Sequence, residues 1–195
     1  MMVKICGITN REDALAAIDG GASALGFNFY PASPRYIGLE EAADLVAGLP
    51  AGVWKVGVFV DELPEAVERT AGLVGLDIVQ LHGNESPEQY PMGIRVWKAI
   101  RVRDGQAPAV WPGGTVDAVL LDGPASGKVF DWACVPLGKE RLILAGGLDA
   151  DNVRQAIEQV HPWGVDACSR IEISPGRKDH IKMAAFLKAA LAASQ

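Results

Sequence analysis

Long apolar runs are missing from this chain. No uncharged stretch exceeds Gly20 to Pro34, and that one contains Gly and Pro, whereas a membrane-crossing helix needs about 20 predominantly apolar residues. No membrane partner is expected. The opening Met-Met-Val-Lys-Ile-Cys-Gly also lacks the apolar stretch of a secretory signal, so a cytoplasmic location is the expectation. Cysteine is scarce: Cys6, Cys134 and Cys168 are odd in number and far apart, no Cys-x-x-Cys pair occurs, and only His82, His161 and His180 stand beside them as metal-binding types. Neither a disulfide framework nor a metal site is supported, and reduced thiols are the default, with packing the default role of Cys134 and Cys168. Positive charge is in deficit too. With 18 Lys+Arg against 24 Asp+Glu the formal net charge is -6, a field that repels nucleic acid and acidic membranes. An anionic small-molecule substrate would need a local device, and monomer and homodimer both stay open.

What is present is a core. Of 195 residues 49% are hydrophobic, enough for one sizeable domain spanning 1–195 rather than two very small ones. Eight short β-rich runs recur: Val3 to Ile8, Ala24 to Phe29, Val53 to Val60, Asp77 to Leu81, Arg95 to Ile100, Asp117 to Leu121, Arg141 to Ala145 and Gly164 to Cys168. Several are apolar almost throughout, which suits parallel strands covered on both faces. Helical patterns separate them. The first has Asn10 as cap, Asp13 at its positive end and Gly20 as stop; others run from about Leu39 to Leu49, Glu65 to Leu73, Asn152 to Val160 and Lys178 to Ala193. After the fifth and sixth strands the helical signal fails, because Gly105, Pro108, Pro112, Gly113 and Gly114 break one connection and Pro124, Gly127, Pro136 and Gly138 the other. Short or irregular helices are expected there. The pattern predicts an α/β fold, a closed (β/α)8 TIM barrel, with an open doubly wound sheet as competitor; the length lies near the fold's lower limit of about 200 residues.

Barrel chemistry sits where strands end, so the residues there are the candidates: Cys6, Arg35, Gln80 and His82, Asp122, Gly146-Gly147, and Asp166 through Arg170. Each has a plain structural reading as well. A free cysteine is most often a small buried apolar residue, an aspartate after a strand is often a turn cap, an exposed loop arginine is usually only solvated, His82 reads equally as a satisfied core histidine, and a Gly-Gly pair serves any tight turn.

Taken together, Lys4-Ile-Cys-Gly-Ile-Thr9, Gly26-Phe-Asn-Phe-Tyr30 with Ser33-Pro-Arg-Tyr36, Val79-Gln-Leu-His-Gly83, Leu120-Leu-Asp122, Phe130-Asp-Trp132, Leu144-Ala-Gly-Gly-Leu148 with Asn152-Val153, and Pro175-Gly-Arg-Lys-Asp179 resemble the phosphoribosylanthranilate isomerase family, in the family's order and across nearly the whole chain. The resemblance implies an Amadori rearrangement of a phosphorylated aminoaldose to a 1-deoxyketose, with no redox cofactor and no metal. A proton is needed for the ring oxygen as the furanose opens, and a base for the C2 proton of the resulting iminium. By resemblance these are Asp122 as acid and Cys6 as base. Arg35 would hold the anthranilate carboxylate, Asp166 would hydrogen-bond the substrate, Gln80 and His82 would orient groups at the mouth, and backbone amides at Gly146, Gly147, Ser169 and Arg170 would take the phosphate.

The two catalytic roles demand opposite shifts, from reference values of about 8.5 for a thiol and about 3.9 for an aspartate. Hydrogen-bond donors are therefore expected around Cys6 and apolar walls around Asp122. The chain also departs from the family pattern. Where the family usually carries Ser-Ser-Gly, Cys168-Ser-Arg170 stands here, so that Arg170 either adds bonds to a phosphate or strains a backbone that glycine tolerates; the loop Gly123 to Val129 is short and lacks the usual Gly-Gly-Thr-Gly. Two rival readings follow: the related aminoaldose isomerase of histidine biosynthesis, which has aspartate where Cys6 stands, and a non-catalytic phosphosugar-binding barrel.

Overall fold

Eight parallel strands close on themselves in sequence order: β1 (Met2–Cys6), β2 (Ala24–Asn28), β3 (Trp54–Phe59), β4 (Ile78–Leu81), β5 (Arg95–Arg101), β6 (Ala118–Asp122), β7 (Leu142–Leu144) and β8 (Gly164–Ala167). The barrel is shut where β1 pairs with β8, Ile5 opposite Ala167. This computed structural model describes residues 1–193 apart from 103–105, 107–110, 113–115 and 137–140. All eight sequence-predicted strands are found within a few residues of their expected ends. The closed barrel, not the open sheet, is the fold.

Among the described residues five helices pack outside: α1 (Arg11–Asp19), α2 (Leu39–Ala47), α3 (Pro64–Val74), α4 (Val153–Val160) and α5 (His180–Ala192). The Asn10 side chain caps α1 by accepting from the Asp13 N–H at 2.9 Å, as its sequence suggests. Its stop is Gly20, the C-cap, with a right-handed φ of -75°, and the positive φ of 94° falls on Gly21. In α4 Val153, Ala156, Ile157 and Val160 form one buried stripe. Between β6 and β7 the only helical turn among the described residues is a single 3-10 turn, Trp132–Cys134, in keeping with the Pro and Gly content of that connection. Of the residues expected to break the connections after β5 and β6, Gly105, Pro108, Gly113, Gly114 and Gly138 lie outside the described residues. After β8, another 3-10 turn (Ser169–Ile171) leads into a hairpin, β9 (Glu172–Ser174) and β10 (Arg177–Lys178). No helix among the described residues is long and apolar enough to cross a membrane.

Strand alternation divides the apolar residues into two cores. Val3, Ile5, Leu25 and Phe27 face outward with α1 and α5 residues such as Ala14, Ala17 and Phe186, all with no exposed surface; each large side chain so buried stabilises the fold by about 1.5–3 kcal/mol. Met2, Val56, Trp97, Leu120 and Ile143 fill the barrel interior. At its N-terminal end Trp54, Trp97 and Trp163 cluster with ring centroids 5.9–6.1 Å apart, and the Arg95 guanidinium lies 5.0 Å from the Trp54 ring. That end is plugged. The polar interior lies at the other.

Candidate active site

Lys4 and Cys6 share the inward face of β1, spaced by the two-residue period of a strand. Lys4 has no exposed surface, which requires a partner, and its Nζ donates to Asp166 Oδ2 on β8 at 2.9 Å. Room for both side chains comes from Gly26, the register partner of Cys6 on β2. A Cβ there would meet the Cys6 sulfur at 2.7 Å and Lys4 Cε at 3.1 Å.

Burial alone would favour a neutral Lys4 amine, but the charges of Asp166 and Cys6 hold it as an ammonium, above the ordinary lysine range. In return, a hydrogen bond from the Cys168 thiol and the charges of Lys4 and Lys178 draw Cys6 well below the usual thiol range, outweighing the cost of burial. The Cys168 thiol moves the opposite way, raised by that same hydrogen bond and by burial. Asp166 is pushed up to about 7, first by burial and then, against the pull of Lys4, by the Cys6 and Asp122 charges. One ammonium serves two anions, and the carboxylate is the one left short. Asp166 Oδ1, although buried, has no hydrogen-bond partner among the described residues, an acceptor available to a ligand.

Lys178 and Glu172 pair across the β9–β10 hairpin, with Lys178 Nζ 2.8 Å from Glu172 Oε1. Glu172 also accepts a fork from Arg35, whose Nε reaches Oε1 at 2.9 Å and whose Nη2 reaches Oε2 at 2.7 Å. Despite burial, these cations keep Glu172 below the usual carboxylate range. Arg35 itself lies on a loop folded by a Ser33 N–H bond to the Tyr30 carbonyl at 2.9 Å and a Tyr36 N–H bond to Ser33 at 3.1 Å. One edge of its guanidinium is thus anchored, and Arg35 borders the cavity.

Across the mouth, Asp122 ends β6. Its Oδ1 accepts from the Gly123 N–H at 2.9 Å and its Oδ2 lies 3.2 Å from His82 Nε2, while His82 Nδ1 lies 3.0 Å from the Gln80 side-chain amide. The expected apolar walls are not there. Asp122 emerges from its strand onto polar neighbours with a quarter of its side chain exposed (26%), and it is Asp166, one residue before the end of β8, that burial raises.

Gly146 and Gly147 take positive φ of 83° and 67°, and a Cβ on either would strike the loop after β6, at Gly123 N for Gly146 and Lys128 C for Gly147. They let that short loop close down on the end of β7. Arg170 is not among the residues with positive φ, so the strain considered for a side chain at that position does not arise. Its Nε pairs with Asp149 Oδ2 at 2.7 Å.

All ten sequence-predicted residues, namely Cys6, Arg35, Gln80, His82, Asp122, Gly146, Gly147, Asp166, Ser169 and Arg170, border one cavity of about 890 Å³. Sequence reasoning passed over Lys4, Glu172, Lys178 and the position of Cys168. The signal for Lys4 was there, in a lysine set inside an otherwise apolar strand; Lys178 stood inside a family motif with no role attached to it, and Glu172 gave no signal, because only the hairpin brings the two back to the mouth.

The closed barrel, with its polar groups gathered at the C-terminal ends of the strands, defines a (β/α)8-barrel enzyme. The chain belongs to the N-(5'-phosphoribosyl)anthranilate isomerase family, whose sequence model matches residues 3–189. The enzyme of that name from Solibacter usitatus is 50% identical over 199 residues, with 99% of this chain and 98% of its own covered. That from Geobacter sp. strain M21 is 52% identical over 194 residues, 95% of each chain. Among solved structures, the phosphoribosyl anthranilate isomerase of Thermus thermophilus superposes with a TM-score of 0.90 at 37% identity over 100% of both chains. Another, in complex with reduced 1-(o-carboxyphenylamino)-1-deoxyribulose 5-phosphate, gives 0.83 at 38% identity over 98% of this chain and 99% of its own.

Proposed function

We propose that this protein catalyses, in the cytoplasm, the Amadori rearrangement of N-(5-phosphoribosyl)anthranilate to 1-(2-carboxyphenylamino)-1-deoxyribulose 5-phosphate, with Cys6 as general base and Asp122 as general acid. The observation that carries it is a thiol on β1 and a carboxyl group on β6 facing a single cavity, with the thiol drawn below its usual range by its surroundings. Going round the barrel, β6 is three strands from β1, so the two groups reach a bound sugar from different sides.

The acid step begins with Asp122 protonated, its carboxyl held between Gly123 N–H and His82. Its proton passes to the furanose ring oxygen as the C1–O bond breaks, leaving an iminium at C1. The Cys6 thiolate then removes the C2 proton, the electron pair moves to the iminium, and the enolamine tautomerises to the ketose. The proton left on Cys6 and the one missing from Asp122 are restored by exchange with solvent. Lys4 holds the thiolate by charge, and Asp166 Oδ1 offers an acceptor to a sugar hydroxyl. Arg35, its fork on Glu172, turns its remaining donors to the anthranilate carboxylate. The phosphate is assigned to the backbone amides of Gly146, Gly147, Ser169 and Arg170, all four of which border the cavity.

Loss of anthranilate-type substrate fluorescence, followed for the native protein, Cys6→Ser and Asp122→Asn, tests this reading. Turnover by the native protein and its collapse in both folded variants are expected. Exclusive turnover of the histidine-pathway aminoaldose, or binding of substrate without turnover, would overturn it.

A further inference from the structure

Cys168 follows directly on β8, whose Ala167 is the register partner of Ile5 on β1. One residue further along the two parallel strands come Cys168 and Cys6. Paired strands run about 4.8 Å apart, inside the window of about 4.4–6.8 Å between Cα atoms that a disulfide spans. The two thiols act on each other's ionisation, Cys6 drawn down and Cys168 raised, and both border the cavity, where a small oxidant can reach them. Cys168 leans toward β1, for a Cβ on Gly7 would come 3.1 Å from its sulfur. Lys178 Nζ and Glu172 Oε1 each lie 3.9 Å from that sulfur. Cys134, on the 3-10 turn after β6, does not border this cavity.

We propose that Cys6 and Cys168 form a redox pair, a modification site at which peroxide converts the two thiols to a disulfide and reversibly silences the base. The Cys6 thiolate attacks one oxygen of hydrogen peroxide, the O–O bond breaks, and the departing hydroxide takes up a proton as water, leaving a sulfenic acid on Cys6. Cys168 then loses its proton and attacks the Cys6 sulfur; the S–O bond breaks and the hydroxyl leaves as a second water. Two thiols have given up two electrons, and one peroxide has become two waters. The thiolate character of Cys6 speeds the first step, and the adjacency of Cys168 makes the second faster than further oxidation of the sulfenic acid.

The test is to treat the full-length protein with hydrogen peroxide and follow free thiols, peptide masses and turnover together. Two thiols are expected to vanish in concert, with a Cys6–Cys168 cross-linked peptide, at least about a tenfold loss of activity, and full recovery on adding dithiothreitol. Cys134→Ser should behave like the native protein. In Cys168→Ser, with activity compared to that of the same variant before treatment, no cross-link is expected, and the loss should become irreversible as Cys6 advances to the sulfinic acid. Sulfinic Cys6 beside a free Cys168 in the native protein, or reductant recovery of Cys168→Ser equal to native, would overturn the pair. The cross-link is read without reference to catalysis. Bridging with undiminished turnover would therefore leave the thiol pair standing, refute the silencing, and remove Cys6 from its role as base.

Discussion

The Lys4 ammonium donates to Asp166 on the neighbouring strand at 2.9 Å, and its charge also acts on Cys6, two residues along its own. Replacing Lys4 by Met leaves Asp166 buried without its counter-ion, and a loss of about 3–5 kcal/mol in urea unfolding is expected. The double change Lys4→Met with Asp166→Asn should recover part of it. On the folded fraction, the acid limb of kcat/KM reports Cys6: activity is present while the thiol is ionised and is lost as pH falls through its lowered pKa. Removing the cation raises that pKa, so the limb should move to higher pH.

Cys6→Ser and Asp122→Asn should each lower turnover by about 10²–10⁴. Both sites lie where strands emerge into the mouth, and both replacements are close in size, so thermal midpoints should stay near native. Steady-state kinetics beside thermal melts checks the pair of claims.

Arg35→Lys keeps the charge but cannot keep the fork on Glu172 while offering donors to a second carboxylate. A rise in KM of about tenfold or more, the equivalent of one charge-assisted bond at about 1.5–3 kcal/mol, is expected, with a smaller change in kcat. A substrate analogue lacking the anthranilate carboxylate should show no such difference between native and variant.

Arg170 pairs with Asp149 and carries no backbone strain. Arg170→Gly should therefore leave folding stability within about 1 kcal/mol while raising KM for the phosphorylated substrate severalfold. Inhibition by inorganic phosphate should weaken in parallel.

Asp13 ties α1 to the hairpin and α5, accepting from the Lys178 N–H at 2.8 Å and lying 2.8 Å from His180 Nε2. Burial opposes its charge, but these bonds and the one from Asn10 hold its carboxyl below the usual range. A lowered native pKa stabilises the fold fully above the unfolded value of about 3.9, and that stability is lost as pH falls through the native value. Asp13→Asn should be less stable than native at pH 7, with the gap closing in acid; urea midpoints across pH measure it.

The barrel was legible because its strands are apolar on both faces and punctuated by capping and stopping residues such as Asn10. Strand ends located the cavity residues, since in this fold the end of each strand is the mouth. Electrostatic surroundings were another matter. Asp122 and Asp166 both follow apolar residues in sequence, and only the coordinates show that Asp122 meets Gly123 N–H and His82 while Asp166 stays inside beside Lys4. Nor does any local pattern announce that Cys168 comes beside Cys6, because that juxtaposition depends on the register by which β8 meets β1.

The tryptophan cluster that plugs the N-terminal end lies a full strand length from the residues assigned to chemistry. Closure of the scaffold and the choice of substrate are thereby entrusted to opposite poles. Loops at the open pole are free to lengthen, shorten or exchange side chains over generations, and the architecture that carries them survives each experiment.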